Sequence, residues 1–162
     1  MRRFAWAIVA AAVVSGVSCN DALEDREVFE AVLSPAEEVP PRPTAANGRA
    51  QIYVEGDRIS YAIEVDDITS ITAAHIHSGA AGTNGPIRLF LYPIQQGTTV
   101  PQVTTQDKGI LVEATVPSSN VNGVTYQELL EQMRNGTAYV NVHTVQFGGG
   151  EMRGQVRRLS TD

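Results

Sequence analysis

The chain has 162 residues, enough for one domain with a single buried core. Its 12 basic and 18 acidic side chains give a net charge of −6, a surface that repels nucleic-acid phosphates and argues against nucleic acid as a partner. One cysteine excludes any intramolecular disulfide, so the core alone must hold the fold.

Arg2 and Arg3 precede an apolar run from Phe4 to Val14, and small residues follow as far as Cys19. This layout predicts a secretory signal peptide over residues 1–19, because the run is too short to span a bilayer as a stable helix. The two arginines also fit a twin-arginine export signal. Cys19, preceded by Val17 and Ser18, resembles the lipidated cysteine of bacterial lipoproteins; Gly16 departs from that pattern, which prefers a larger apolar residue. The alternative is a plain signal cut nearby. Removing the segment takes away Arg2 and Arg3 and no acid, leaving 10 basic and 18 acidic side chains and a charge of −8. The expectation is an exported protein, periplasmic or on the cell surface, held to a membrane through a lipid anchor only.

Residues 20–27 are polar and acidic and read as a spacer, with the domain over 28–158. "VFEAVL" alternates as a strand should, and a proline-rich break, "SPAEEVPPRPTAANG", follows. "AQIYVE" and "RISYAIEV" flank the turn Gly56-Asp57; in the second, Ile59, Tyr61, Ile63 and Val65 share one face. "SITAAHIH", the loop "SGAAGTNG" and "PIRLFLYP" come next, and residues 93–108 form a polar connection before "GILVEATV". Thr125 and Glu128 make a capping box for a short helix near 126–134, which carries Leu129, Leu130 and Met133 and ends at Asn135-Gly136. "TAYVNVHT" and "EMRGQVRRL" close the chain as two strands around "VQFGGG". About eight strands and one helix predict an all-β fold, an antiparallel β-sandwich with Greek-key-like connections.

All three histidines lie on the non-apolar sides of strands. His75 and His77 project from one face about 6.6 Å apart. Tyr139, Asn141 and His143 share a face in the penultimate strand, and Glu151, Arg153 and Gln155 in the last. If these strand ends meet at one end of the sandwich, His75, His77 and His143 form a Cu or Zn site, with Glu151 or water as a further ligand and Asn141, Glu151 and Arg153 as its polar surroundings. Sharing an ion requires ring nitrogens within ~4 Å of one another. The reading favoured over the metal site is that the same residues form a hydrogen-bonded network that pins loops 78–85 and 145–150; a partner-binding surface is the third.

No catalytic constellation emerges. Ser78 points away from His77, Glu37-Glu38 and Asp66-Asp67 read as solvated turns, and no helix follows the glycines at 79, 82 and 85 to make a phosphate loop. Arg153 beside Glu151 reads as an ion pair or a carboxylate anchor.

The stretches "FEAVLSPAEEVPP", "TAANGRA", "ISYAIEV", "ITAAHIHSGAAGTNGPI" and "LLEQMRNGTAYVNVHTVQFGGGEMRGQV" resemble the CHRD domain, the module named after its repeats in chordin and found in bacterial secreted proteins. The resemblance runs from about Val28 to Val156 and implies a β-sandwich. It implies no agreed activity, and it leaves a non-enzymatic binding or scaffolding module, with a protein or envelope ligand as partner, beside the metal-binding alternative. "HIH" and "NVHT" faintly resemble the copper-ligand strands of copper/zinc superoxide dismutases. That family's dinuclear site needs more histidines than the chain has, so only a mononuclear copper site carries over, with dismutase chemistry remote.

Overall fold

The computed structural model describes residues 26–94, 97, 103–105 and 108–159. The expected signal peptide, Cys19 and most of the spacer lie outside these residues.

Two antiparallel sheets face each other. The first contains β1 (Glu27–Leu33), β2 (Asn47–Glu55), β3 (Arg58–Asp66), β7 (Gly109–Pro117) and β10 (Arg157–Arg158), in the order β10-β1-β2-β3-β7. The second contains β4 (Ile68–Ser78), β5 (Ile87–Tyr92), β8 (Ala138–Thr144) and β9 (Met152–Gln155), in the order β5-β4-β8-β9, and the short β6 (Val103–Thr105) also pairs with β4. Among the described residues one α-helix, α1 (Tyr126–Arg134), lies between β7 and β8. The architecture is the expected all-β sandwich.

Alternation along the strands places the core between the sheets. Ile59, Tyr61, Ile63 and Val65 of β3 are all buried, and the residues between them are half-exposed. From the facing sheet, Ala74 and Ile76 of β4, Leu89 and Leu91 of β5, and Val140 and Val142 of β8 fill the other half. Each large aliphatic side chain removed from water contributes about 1.5–3 kcal/mol, so this double layer supplies what a disulfide would in a smaller domain. Tyr61 spans the sheets and donates its hydroxyl to the Leu91 carbonyl at 2.9 Å, and burial pushes the phenol pKa up to about 12. The chain passes from β3 to β4 through Asp67, whose φ of 49° is left-handed.

Helix α1 forms where expected. Thr125 Oγ1 accepts from the Glu128 N–H, and the Glu128 carboxylate accepts from the Thr125 N–H at 2.7 Å. Leu129, Leu130 and Met133 turn into the core, while Arg134 in the last turn holds Glu27 at the start of β1.

Two expectations change. The connection over 93–108 contains β6, which pairs Thr105 with Ile68 and Val103 with Ile71. "EMRGQVRRL" is also two strands: β9 belongs to the second sheet and β10 to the first. The crossing occurs at Val156, whose N–H donates to Ala138 of the second sheet, whereas Leu159 donates to Val28 of the first. Ser34 and Arg153 exchange backbone bonds of 3.0 and 3.2 Å at the same flank, which ties the sheets together there.

Candidate metal centre

Because Ala74, Ile76, Val140 and Val142 face the core, their neighbours His75, His77, Tyr139, Asn141 and His143 face outward from the second sheet. The histidines therefore meet on the outer face of a sheet, not at an end of the sandwich. Three loops cover them. Residues 34–46, 79–86 and 145–150 are joined by Asn84 Nδ2 donating to the Val39 carbonyl and by Arg42 Nε donating to the Gly150 carbonyl. Arg42 also stacks on the Phe147 ring. Under this roof His75, His77 and His143 are only 7%, 8% and 8% exposed.

One ring nitrogen from each histidine lies within 4.8 Å of the others, the one such His, Cys, Asp or Glu group among the described residues. His75 Nδ1 is 3.0 Å from His143 Nε2. His77 Nδ1 is 2.9 Å from the Gly85 carbonyl and His143 Nδ1 is 3.1 Å from that of Gly148. A carbonyl only accepts, so both Nδ1 atoms carry hydrogen and both Nε2 atoms present lone pairs. His143 Nε2 then accepts from His75 Nδ1, and His77 Nε2 has no hydrogen-bond partner.

Burial, reinforced by the neighbouring imidazoles, lowers the pKa of His75 to about 3; burial likewise lowers that of His143 to about 4, opposed by its bond to Gly148. His77 is also lowered, by burial first and by the Arg153 charge, against the opposing bond to Gly85. All three rings are therefore neutral at pH 7, the form that can bind a metal.

Tetrahedral ligation at ~2.05 Å places ligand nitrogens about 3.3 Å apart. The closest pair is near that spacing. The widest, at up to 4.8 Å, exceeds the ~4 Å expected for a shared ion and must contract by ring rotation. Gly85, whose carbonyl orients His77, admits no side chain: a Cβ there would lie 1.7 Å from the Ser78 carbonyl oxygen.

The surrounding residues distribute differently from expectation. Asn141 is buried directly opposite His75. Glu151 lies outside the histidine group and accepts from Thr144 Oγ1 at 2.7 Å. The Glu151–Arg153 ion pair does not form. Arg153 instead donates to the carbonyls of Glu37 and Thr83 and to Asn84 Oδ1, and lies over the Tyr139 ring that stacks on His77. It is thus a cross-brace for two roof loops. Glu38 was missed. Its neighbour Glu37 is exposed as a solvated turn should be, but Glu38 is 2% exposed with Oε1 unpartnered.

A match to the CHRD domain family covers residues 29–156. No curated protein and no solved structure matches the chain. The matched span contains every strand but β10 and the first two residues of β1, all three loops of the roof and all three histidines, and the chain belongs to the CHRD domain family.

Proposed function

We propose that this CHRD domain is a non-enzymatic extracytoplasmic module, lipid-anchored through Cys19, that binds one copper or zinc ion through His75, His77 and His143. The observation that carries the metal reading is the pair of bonds behind the ligand atoms. His77 and His143 each give Nδ1–H to a backbone carbonyl, which leaves Nε2 as the ring nitrogen with a lone pair, and one nitrogen of each of the three histidines lies within 4.8 Å of the others. That outer-shell bond is the usual orienting device of metal-ligating histidines. To hold an ion beside His143, His75 would release its Nδ1 hydrogen to its own Nε2, freeing the Nδ1 lone pair now tied up in the N–H of the 3.0 Å contact with His143 Nε2. Export and anchoring are supported by the composition of residues 1–19.

The test is metal content of the signal-free domain after copper and zinc loading, beside His75→Ala and His143→Ala. One equivalent in the parent and none in folded variants is the expected result. No metal in the parent, with variants that merely melt earlier, would make the histidines a lock for the roof and turn the search to protein partners. Radiolabelled lipid on the full chain but not on Cys19→Ser tests the anchor.

A further inference from the structure

The outward faces of β4 and β8 form a patch of two columns. Its cross-strand pairs are Ala73 with His143, His75 with Asn141, and His77 with Tyr139. Asn141 therefore has His75 across from it and His143 beside it on the same strand. It is 3% exposed, and its Oδ1 has no hydrogen-bond partner. The roof brings a second acceptor to it. Asn141 Oδ1 and Glu38 Oε1 lie 2.5 and 2.6 Å from the position a Cβ on Gly150 would take, hence within about 5.1 Å of each other. Gly150, at φ 120°, is the residue that leaves this space open.

Two buried oxygens without a partner lie beside the three clustered histidines, and a small molecule with two hydrogens would satisfy both. Leaving such groups unsatisfied costs about 1–3 kcal/mol each, and more for a carboxylate. Building on the metal reading above, we infer that a water-derived ligand occupies the fourth position of the ion, with its hydrogens accepted by Asn141 Oδ1 and Glu38 Oε1. Three histidines plus solvent is the arrangement of an exchangeable site, whereas a purely structural ion is closed by four protein ligands. Glu38 also places a negative charge against the incoming cation, on a site where buried Arg153 already supplies a positive one. Glu38 is a positioning residue in this scheme: it touches the solvent ligand, and the ion feels it through that ligand.

The experiment uses the copper(II)-loaded domain, with copper content measured in every sample, and records electron paramagnetic resonance in water and in ¹⁷O-enriched water. Line broadening by ¹⁷O is expected in the parent. Glu38→Gln should keep one copper while weakening its affinity about 10–100-fold. The same variant should bind azide, an anion without hydrogens to donate, at least about tenfold more tightly than the parent, because the opposing carboxylate is gone; this corresponds to about 1.4 kcal/mol. A merely structural Glu38 would leave the azide affinity unchanged. One equivalent of copper with no ¹⁷O broadening overturns the inference alone, as it would if the Asn141 amide donated straight to Glu38. A parent that binds no copper overturns the metal reading and this inference with it.

Discussion

Acidifying the metal-free domain from pH 7.0 to 5.5 should destabilise it sharply, and the size of the loss follows from the buried imidazoles. His75 and His143 have folded pKa values of about 3 and about 4, against 6.5 for the unfolded chain. Between those limits the unfolded state takes up protons that the native state refuses, so stability is full above pH 6.5 and is lost as pH falls toward the folded values. Over pH 7.0 to 5.5 each such histidine costs about 1.3 kcal/mol, or about 2.5 kcal/mol for the two. His77 shifts in the same direction and adds to the loss. The figure is insensitive to the folded values, since any below about 4.5 gives nearly the same result at pH 5.5. Glu38 works the other way: burial raises its pKa, so it gains stability as pH falls, and Glu38→Gln should enlarge the drop. The one tryptophan, Trp6, lies in the expected signal, so urea unfolding of the mature domain is best followed by circular dichroism in EDTA. With urea slopes of about 1–3 kcal/mol/M, the midpoint should fall by about 1–2.5 M. His143→Gln should recover about 1.3 kcal/mol of the pH dependence. Equal midpoints at the two pH values would refute the reasoning, because the histidines would then be as easily protonated in the native state as in the unfolded chain.

Gly85→Ala forces a Cβ against the Ser78 carbonyl and should cost about 3 kcal/mol or more, whereas Gly148→Ala, which meets nothing within 4 Å, should be near neutral; thermal melts of the pair check this. Thr125→Ala removes the capping oxygen of α1 and should cost about 1 kcal/mol in urea unfolding. Tyr61→Phe strands the Leu91 carbonyl between the sheets and should cost about 1–3 kcal/mol by the same measurement. Zinc at a hundredfold excess over its dissociation constant should stabilise the domain by about 2.7 kcal/mol, read as a rise in melting temperature that EDTA reverses.

The strands most legible in the sequence are those with one wet face. In β3, Ile59, Tyr61, Ile63 and Val65 alternate with half-exposed residues, so the pattern itself reports the core. Helix α1 was legible for a similarly local reason, since its capping box and terminating Asn135-Gly136 are sequence neighbours. The pattern cannot say which sheet a strand joins. Alternation continues through Val156, although the chain changes sheets there. β6 has two cross-strand pairs in a polar connection, too few to leave a period. At the site, the outward faces of His75, His77 and His143 followed from strand period, but their burial did not. All seven residues of β8 are buried because a roof from distant segments lies on its polar side. That roof also explains the misreading of Glu38, whose inward turn depends on contacts far along the chain.

The three clustered histidines and the bonds that tie the roof over them are widely scattered in sequence. His75 and His143 are 68 residues apart, Arg42 and the Gly150 carbonyl 108, and Arg153 and the Glu37 carbonyl 116. A chain still unfolded would offer an ion little more than the His75–His77 pair. On the proposed metal reading, loading would be the last act of folding, after the slow non-local pairings have closed. The ion acquired would then depend on the compartment in which the chain finishes folding, and bound metal would report that folding is complete.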